Sequence, residues 1–283
     1  MAELPKRKNV CLMIVNEVLI KDYSQEKEEP TPSEAPFSPP PPTHHDRMSA
    51  AMDLKATLEK HCACRVEMRR NLTVKEMKIA VDVFVNEITA NAGDIDNVWL
   101  VLSSHGDWEM FLKRDGSPWY QADVICGTDD TLPVFSLTKP LVKTGKPCVI
   151  VVQAGRGNEI AEIKLDKEEG CITPGEETTT ICGSEGMRKR CENTWPELDA
   201  HFNNQILLYS SLPGKAASDG RPLLPALKEV LETVDLCTTD VESLFAKTCQ
   251  KVKDNDGEKQ EFLHDHLVTP VYYNKLWFKI HLQ

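Results

Sequence analysis

Residues 149–157 read Val-Ile-Val-Val-Gln-Ala-Gly-Arg-Gly, and no other stretch narrows the choice of fold as much. Four β-branched residues running into a glycine-broken turn describe a buried parallel strand closed by a tight loop. A second stretch of this kind, Val98-Trp99-Leu100-Val101-Leu102-Ser103-Ser104, ends in His105-Gly106. In open α/β sheets, chemistry sits in the crevice outside the carboxyl ends of the strands. Both stretches carry their glycines at that end.

The rest of the chain supplies the alternation such a sheet needs. Residues 10–15 are an aliphatic run suited to a central strand, and residues 64–68 alternate as a second strand. Between them, Ala51, Leu54 and Leu58 recur at helical spacing over residues 47–60. Thr73-Val74-Lys75-Glu76 has the form of a capping box. Val74, Met77, Val81, Phe84 and Ile88 then recur at steps of three and four, which makes one apolar stripe. Past the strand at 98–104, residues 108–119 predict a hairpin with Asp115-Gly116 as its turn. A short helix over 133–141 leads into the strand at 148–153. A strand at 205–210 follows. Next comes a helix carrying Leu223, Leu227, Val230, Leu231 and Val234, then one opened by the capping-box pattern Thr239-Asp240-Val241-Glu242. Residues 276–280 predict the closing strand. This alternation belongs to an α/β sheet with helices on both faces.

Two segments break the pattern. Residues 23–45 hold seven prolines among glutamates, which suits an extended solvated loop and offers a proline-motif ligand to a partner domain. Residues 158–200 are polar, dotted with glycine and without period, and read as a linker.

A net charge of −11 argues against nucleic acid or an anionic membrane as the main partner. No apolar run reaches transmembrane length, and the polar start Met-Ala-Glu-Leu-Pro-Lys-Arg-Lys-Asn is unlike a signal peptide. The ten cysteines are irregularly spaced, and Cys11 and Cys148 fall inside strand runs. Buried thiols and a cytoplasmic location are therefore expected. His61-Cys62-Ala63-Cys64 lacks a second cluster at zinc-site spacing and reads as a strand edge; neither a metal nor a cofactor is expected.

His105 precedes position 155 by 50 residues. The run Gln-Ala-Cys-(Arg/Gln/Gly)-Gly with a histidine about 50 residues upstream is the caspase signature. On Gln153-Ala154-Gly155-Arg156-Gly157 and His105-Gly106, the chain resembles the caspase family, with Gly155 where the nucleophilic cysteine stands. Leu208-Tyr209-Ser210-Ser211-Leu212-Pro213-Gly214 is similar to the Tyr-Ser-Thr-Ala-Pro-Gly that opens a caspase small subunit. The later Asp219-Gly220, the two helices and an aromatic last strand match that subunit too. The resemblance implies a caspase-like three-layer sandwich: a six-stranded, mostly parallel sheet with helices on both faces. It also implies an N-terminal tail (1–8), a large-subunit-like part (9–157), a linker of the kind cut on activation (158–200) and a small-subunit-like part of the same domain (201–283). His105 would be the base, the Gly106 amide an oxyanion donor, and Gln153 a remnant of the pocket for the substrate's aspartate.

The departures carry the functional expectation. Glycine offers no nucleophile, and losing one member of a nucleophile–base unit costs on the order of 10⁶ in rate. Family members also grip the substrate carboxylate with two arginines, because a buried carboxylate needs forked donors. Where the first should stand this chain has His44, with Arg47 out of register. Where the second should stand only Lys215-Ala216-Ala217-Ser218 intervenes. The expected protein is a catalytically inactive homologue that modulates an active caspase in cell death or innate immunity. The resemblance implies pairing, with that caspase or with a second copy, through the last strand, where Tyr272, Tyr273, Trp277 and Phe278 lie. The alternatives are an aspartate-specific cysteine endopeptidase in which Gly155 is a substitution, or one using another thiol, Cys148 and Cys171 being nearest in sequence.

Overall fold

The structure, a computed structural model, describes residues 8–17, 45–111, 120–155, 204–211, 223–257 and 270–274, with 276, 280 and 282. In chain order the elements are β1 (Asn9–Val15), α1 (His45–His61), β2 (Cys64–Arg70), α2 (Val74–Ala90), β3 (Asn97–Ser103), β4 (Gly106–Phe111), β5 (Tyr120–Cys126) and β6 (Thr131–Pro133). There follow a short α3 (Phe135–Thr138) with a 3₁₀ turn at Lys139–Thr144, then β7 (Cys148–Gln153), β8 (Gln205–Tyr209), α4 (Leu223–Thr233), α5 (Val241–Gly257) and β9 (Val271–Asn274). Six strands form one sheet in the order β2-β1-β3-β7-β8-β9. The first five are parallel and β9 closes the edge antiparallel to β8. A separate antiparallel sheet, β4-β5-β6, grows from the carboxyl end of β3.

Period-two alternation sorts the central strands between two cores. Cys11, Met13, Trp99, Val101, Val149, Val151, Ile206 and Leu208 face α1, α4 and α5. Leu12, Ile14, Leu100, Leu102, Ile150, Val152 and Leu207 face α2 and α3. With both faces covered, β1 and β3 are buried at every position, which is why their sequences run apolar between the polar residues at their ends. The three-layer expectation holds.

The stripe on α2 buries Met77, Val81, Phe84, Val85 and Ile88, with Val74 half-buried at its start. The capping box forms: the Glu76 amide donates to Thr73 Oγ1 (3.2 Å) and the Thr73 amide to Glu76 Oε2 (2.9 Å). The Thr73 amide and hydroxyl together hold the Glu76 carboxyl below its ordinary pKa.

Three local expectations are corrected. The cap of α5 is Asp240 rather than Thr239: the Ser243 amide donates to Asp240 Oδ1 (2.8 Å), and the Val241 amide is taken by the Ile280 carbonyl (2.9 Å). The crossing tail thus sets where this helix begins. The strand that closes the described sheet beside β8 is Val271–Asn274, upstream of the expected 276–280, of which 277–279 lie outside the described residues. Asn274 Oδ1 accepts from the Leu276 amide (2.9 Å) and turns the chain off the ladder, and Ile280 and Leu282 are buried among the α5-side core residues. His61-Cys62-Ala63-Cys64 is a helix-to-strand joint rather than a strand edge, made by Ala63 at φ 47°. The hairpin turn at 115–116, the proline-rich stretch and the linker lie outside the described residues. Among those described, no helix is long and apolar enough to cross a membrane.

Candidate functional site

The 50-residue spacing seen in the sequence is a pairing register. β3 and β7 are parallel neighbours matched from Val98↔Cys148 to Ser103↔Gln153. The Ser104 amide then donates to the Gln153 carbonyl (3.1 Å), so one further step sets His105 level with Gly155 at the carboxyl end of the sheet.

Packing brings the two corners together. A Cβ built on Gly106 would lie 2.7 Å from the Gly155 carbonyl oxygen, 2.6 Å from that of Val124 and 2.9 Å from Ala154 Cβ. Only a residue without Cβ fits there, because the obstacles are backbone and a methyl that cannot rotate away. Ser210, just past β8, fixes the other side. Its hydroxyl accepts from the Ala154 amide (3.2 Å) and donates to the Ala154 carbonyl (2.9 Å), while its own amide donates to the Val152 carbonyl (3.0 Å). The peptide before Gly155 is clamped by one residue.

Gln153 is half-buried, and its Oε1 accepts from the Leu224 amide (3.0 Å) in the first turn of α4. It therefore satisfies one of the orphan donors of a helix N-terminus. Arg47, in the first turn of α1, is half-buried with Nη1 shielded from solvent. Beside it the Met48 amide donates to Glu17 Oε1 (3.1 Å) at the end of β1.

Sequence reasoning missed two residues that build this end of the molecule. Asn16 is fully buried one residue past β1. Its Oδ1 accepts from the Leu72 amide (2.8 Å), and its Nδ2 donates to the carbonyls of Leu72 (3.2 Å) and Cys126 (3.0 Å). One side chain thus ties the loop before α2 and the end of β5 to the sheet. The second is Cys126, whose amide donates to the His105 carbonyl (2.9 Å) and whose carbonyl also accepts from Ser104 Oγ (2.8 Å). Its position was available from the hairpin: the β4–β5 register from Gly106↔Ile125 to Phe111↔Tyr120 is centred on Asp115-Gly116, and the next pair outward is His105 and Cys126.

Cys148, offered as a substitute nucleophile, lies at the opposite end of β7. Five residue steps at about 3.3 Å each put it roughly 16 Å from Gln153. It is sealed in the core, where burial pushes its thiol up to about 12. That excludes it from this site. Cys171, His44, the 212–222 segment, Trp277 and Phe278 lie outside the described residues. Tyr272 and Tyr273 leave opposite faces of β9. Tyr272 meets Phe245 of α5 edge-on (centroids 6.5 Å apart, planes at 63°), and Tyr273 meets Tyr209 of β8 (5.9 Å, 75°). Both rings thus have partners within their own fold.

Comparison with solved structures finds similarity to the caspase-1 of Spodoptera frugiperda, with a TM-score of 0.62 and 15% identity over 98% of this chain and 90% of that one. No curated protein matches. The model of the caspase domain matches residues 42–272, a span that takes in both corners of the site, and the chain belongs to the caspase family.

Proposed function

We propose that this chain is a catalytically inactive caspase-family protein that regulates an active caspase by pairing with it. Gly155 is the observation that carries this reading. It stands level with His105 at the end of β7, where the family signature has cysteine, and no side chain is present to attack a carbonyl. The pocket chemistry points the same way, since the Gln153 carboxamide oxygen is held by the start of α4 and His44 replaces the first arginine.

The two edges of the sheet support pairing through one of them. β2 is guarded by charge: Arg65 pairs with Glu87 (2.6 Å), and Arg69 pairs with Glu67. Charged edges block strand addition. β9 reads Val-Tyr-Tyr-Asn and carries no charge along its ladder. An uncharged edge strand favours association.

The test is to titrate the purified chain into an active caspase and follow both aspartyl-peptide turnover and elution on size exclusion. The expected result is a mixed complex and a dose-dependent change in turnover, whose sign distinguishes a decoy from an activator. Gly155→Cys, which restores the thiol without the arginines, is expected to leave the chain alone inactive. Repeated turnover of an aspartyl peptide by the unmodified chain would end this reading.

A further inference from the structure

The structure assigns a second chemical role to this end of the molecule: we propose that Cys126 and His105 form a thiol–imidazole couple that makes Cys126 a modification site for soft carbon electrophiles. The inference does not rest on partner regulation; it needs only these two residues and the strands that hold them.

The β4–β5 ladder carries it. Gly106 opposes Ile125 in the last pair of the ladder, and just beyond it the Cys126 amide donates to the His105 carbonyl at 2.9 Å, which sets these two residues opposite one another. Residues directly opposed in an antiparallel pair send their side chains to the same face with Cβ atoms about 4.5–5.5 Å apart. On that register the proposal sets thiol and imidazole side by side. The Cys126 carbonyl is held from two further directions, by Ser104 Oγ (2.8 Å) and Asn16 Nδ2 (3.0 Å), so the base of the couple is fixed on three elements.

Access separates this cysteine from the others. Among the described residues, Cys11, Cys62, Cys64, Cys148 and Cys249 are buried, and only Cys126 and Cys237 reach solvent. Cys237 is the more exposed but lies in the turn between α4 and α5, away from His105. A thiolate is the attacking species, and a neighbouring base generates it. In the proposed step the Cys126 proton passes to His105, the sulfur attacks the electrophilic carbon, an S–C bond forms, and the leaving group departs with its electron pair. Because the thiol comes from β5 rather than from position 155, the couple does not restore the arrangement of the family signature.

Timed iodoacetamide labelling of the whole folded chain at neutral pH, read by peptide mass mapping, tests this with iodide as the leaving group. Cys126 is expected to be alkylated about tenfold or more faster than Cys237, since a positioned base contributes roughly 10²–10⁴-fold and the lower exposure offsets part of it. His105→Gln is expected to abolish that advantage and leave the Cys237 rate unchanged. Protection of Cys148 in the same digest reports that the variant is folded. Should the variant unfold, the wild-type ratio of the two rates decides alone. A Cys126 rate no greater than that of Cys237, or one indifferent to His105→Gln in a folded variant, overturns the proposal.

Discussion

Replacing Gly106 with alanine adds one methyl group at the most crowded point of the site. That methyl would meet two carbonyl oxygens at 2.6 and 2.7 Å and the Ala154 Cβ at 2.9 Å, whereas real Cβ atoms essentially never come closer than 3.0 Å. The Val124 carbonyl must retreat by about 0.4 Å merely to reach that limit, and it belongs to a paired strand. Overpacking of this kind costs roughly 1–3 kcal/mol. With backbone on two sides, the upper part of that range applies. Gly→Ala also stiffens the unfolded chain, which offsets about 0.4–1 kcal/mol. The net expectation is a loss of about 2 kcal/mol, or roughly 4–8 °C in melting temperature for a chain of this size. Gly93→Ala is the matched control. Nothing lies within 4 Å of its built Cβ, so only the unfolded-state gain remains and the variant should be neutral or slightly stabilised. Thermal and urea unfolding of both variants beside the parent decides the matter. If Gly106→Ala melts within about 1 °C of the parent, the His105-Gly106 corner does not rest on residues 154–155 and the geometry of the site is wrong.

Asn16→Ala strips partners from the Leu72 amide and two carbonyls at once, and should cost about 3 kcal/mol or more in urea unfolding while raising hydrogen exchange at Leu72. A loss under about 1 kcal/mol would mean those groups find other partners. Thr73→Ala removes the cap of α2 and should cost about 1 kcal/mol at neutral pH. The Glu76 carboxyl is held below its ordinary pKa by the same box, so its contribution is present above the ordinary carboxylate range and lost as pH falls through the lowered value. The gap between variant and parent should therefore shrink in acid; a gap that widens would contradict the box. The Cys62 and Cys148 thiols are pushed up to about 12 by burial, against about 8.5 in an unfolded chain. Their contribution to stability is full below the unfolded value and lost as pH rises from there towards 12. Urea midpoints should fall across that window, and less steeply in Cys148→Ala; an equal slope would show that this thiol is not sealed in the fold.

The order of elements was legible because burial on both faces leaves a plain trace. Runs such as residues 98–102 and 149–152 have no other use in a chain that alternates with amphipathic helices. The 50-residue spacing was legible for a stronger reason: it is the strand register itself, which the sequence states as a number. Long-range hydrogen bonds were not legible. Nothing local marks Asn16 as the tie between two loops, or Gln153 as the acceptor for a helix 71 residues further on. The cap of α5 was misplaced by one residue because Thr239 and Asp240 are both good caps, and the choice falls to a tail that arrives from residue 280. The last described strand, Val271–Asn274, precedes the more aromatic stretch that the sequence favours, and nothing local marks Asn274 as the acceptor for the Leu276 amide. Cys126 needed no structure, only the extension of a hairpin register by one pair.

The stretch from 156 to 203 leaves the sheet after β7 and returns at β8, and those two strands lie side by side in its interior. Thr57 of α1 donates to Glu232 of α4 (3.1 Å), and Asn9 Nδ2 donates to the Leu282 carbonyl (3.2 Å), so the halves are also laced across the α1/α4 face and at the tail. A protease that nicked the intervening segment would therefore yield two polypeptides and still one particle: separate bands in detergent, a single peak in native buffer. Scission here would free chain ends for new contacts without releasing either fragment from the other.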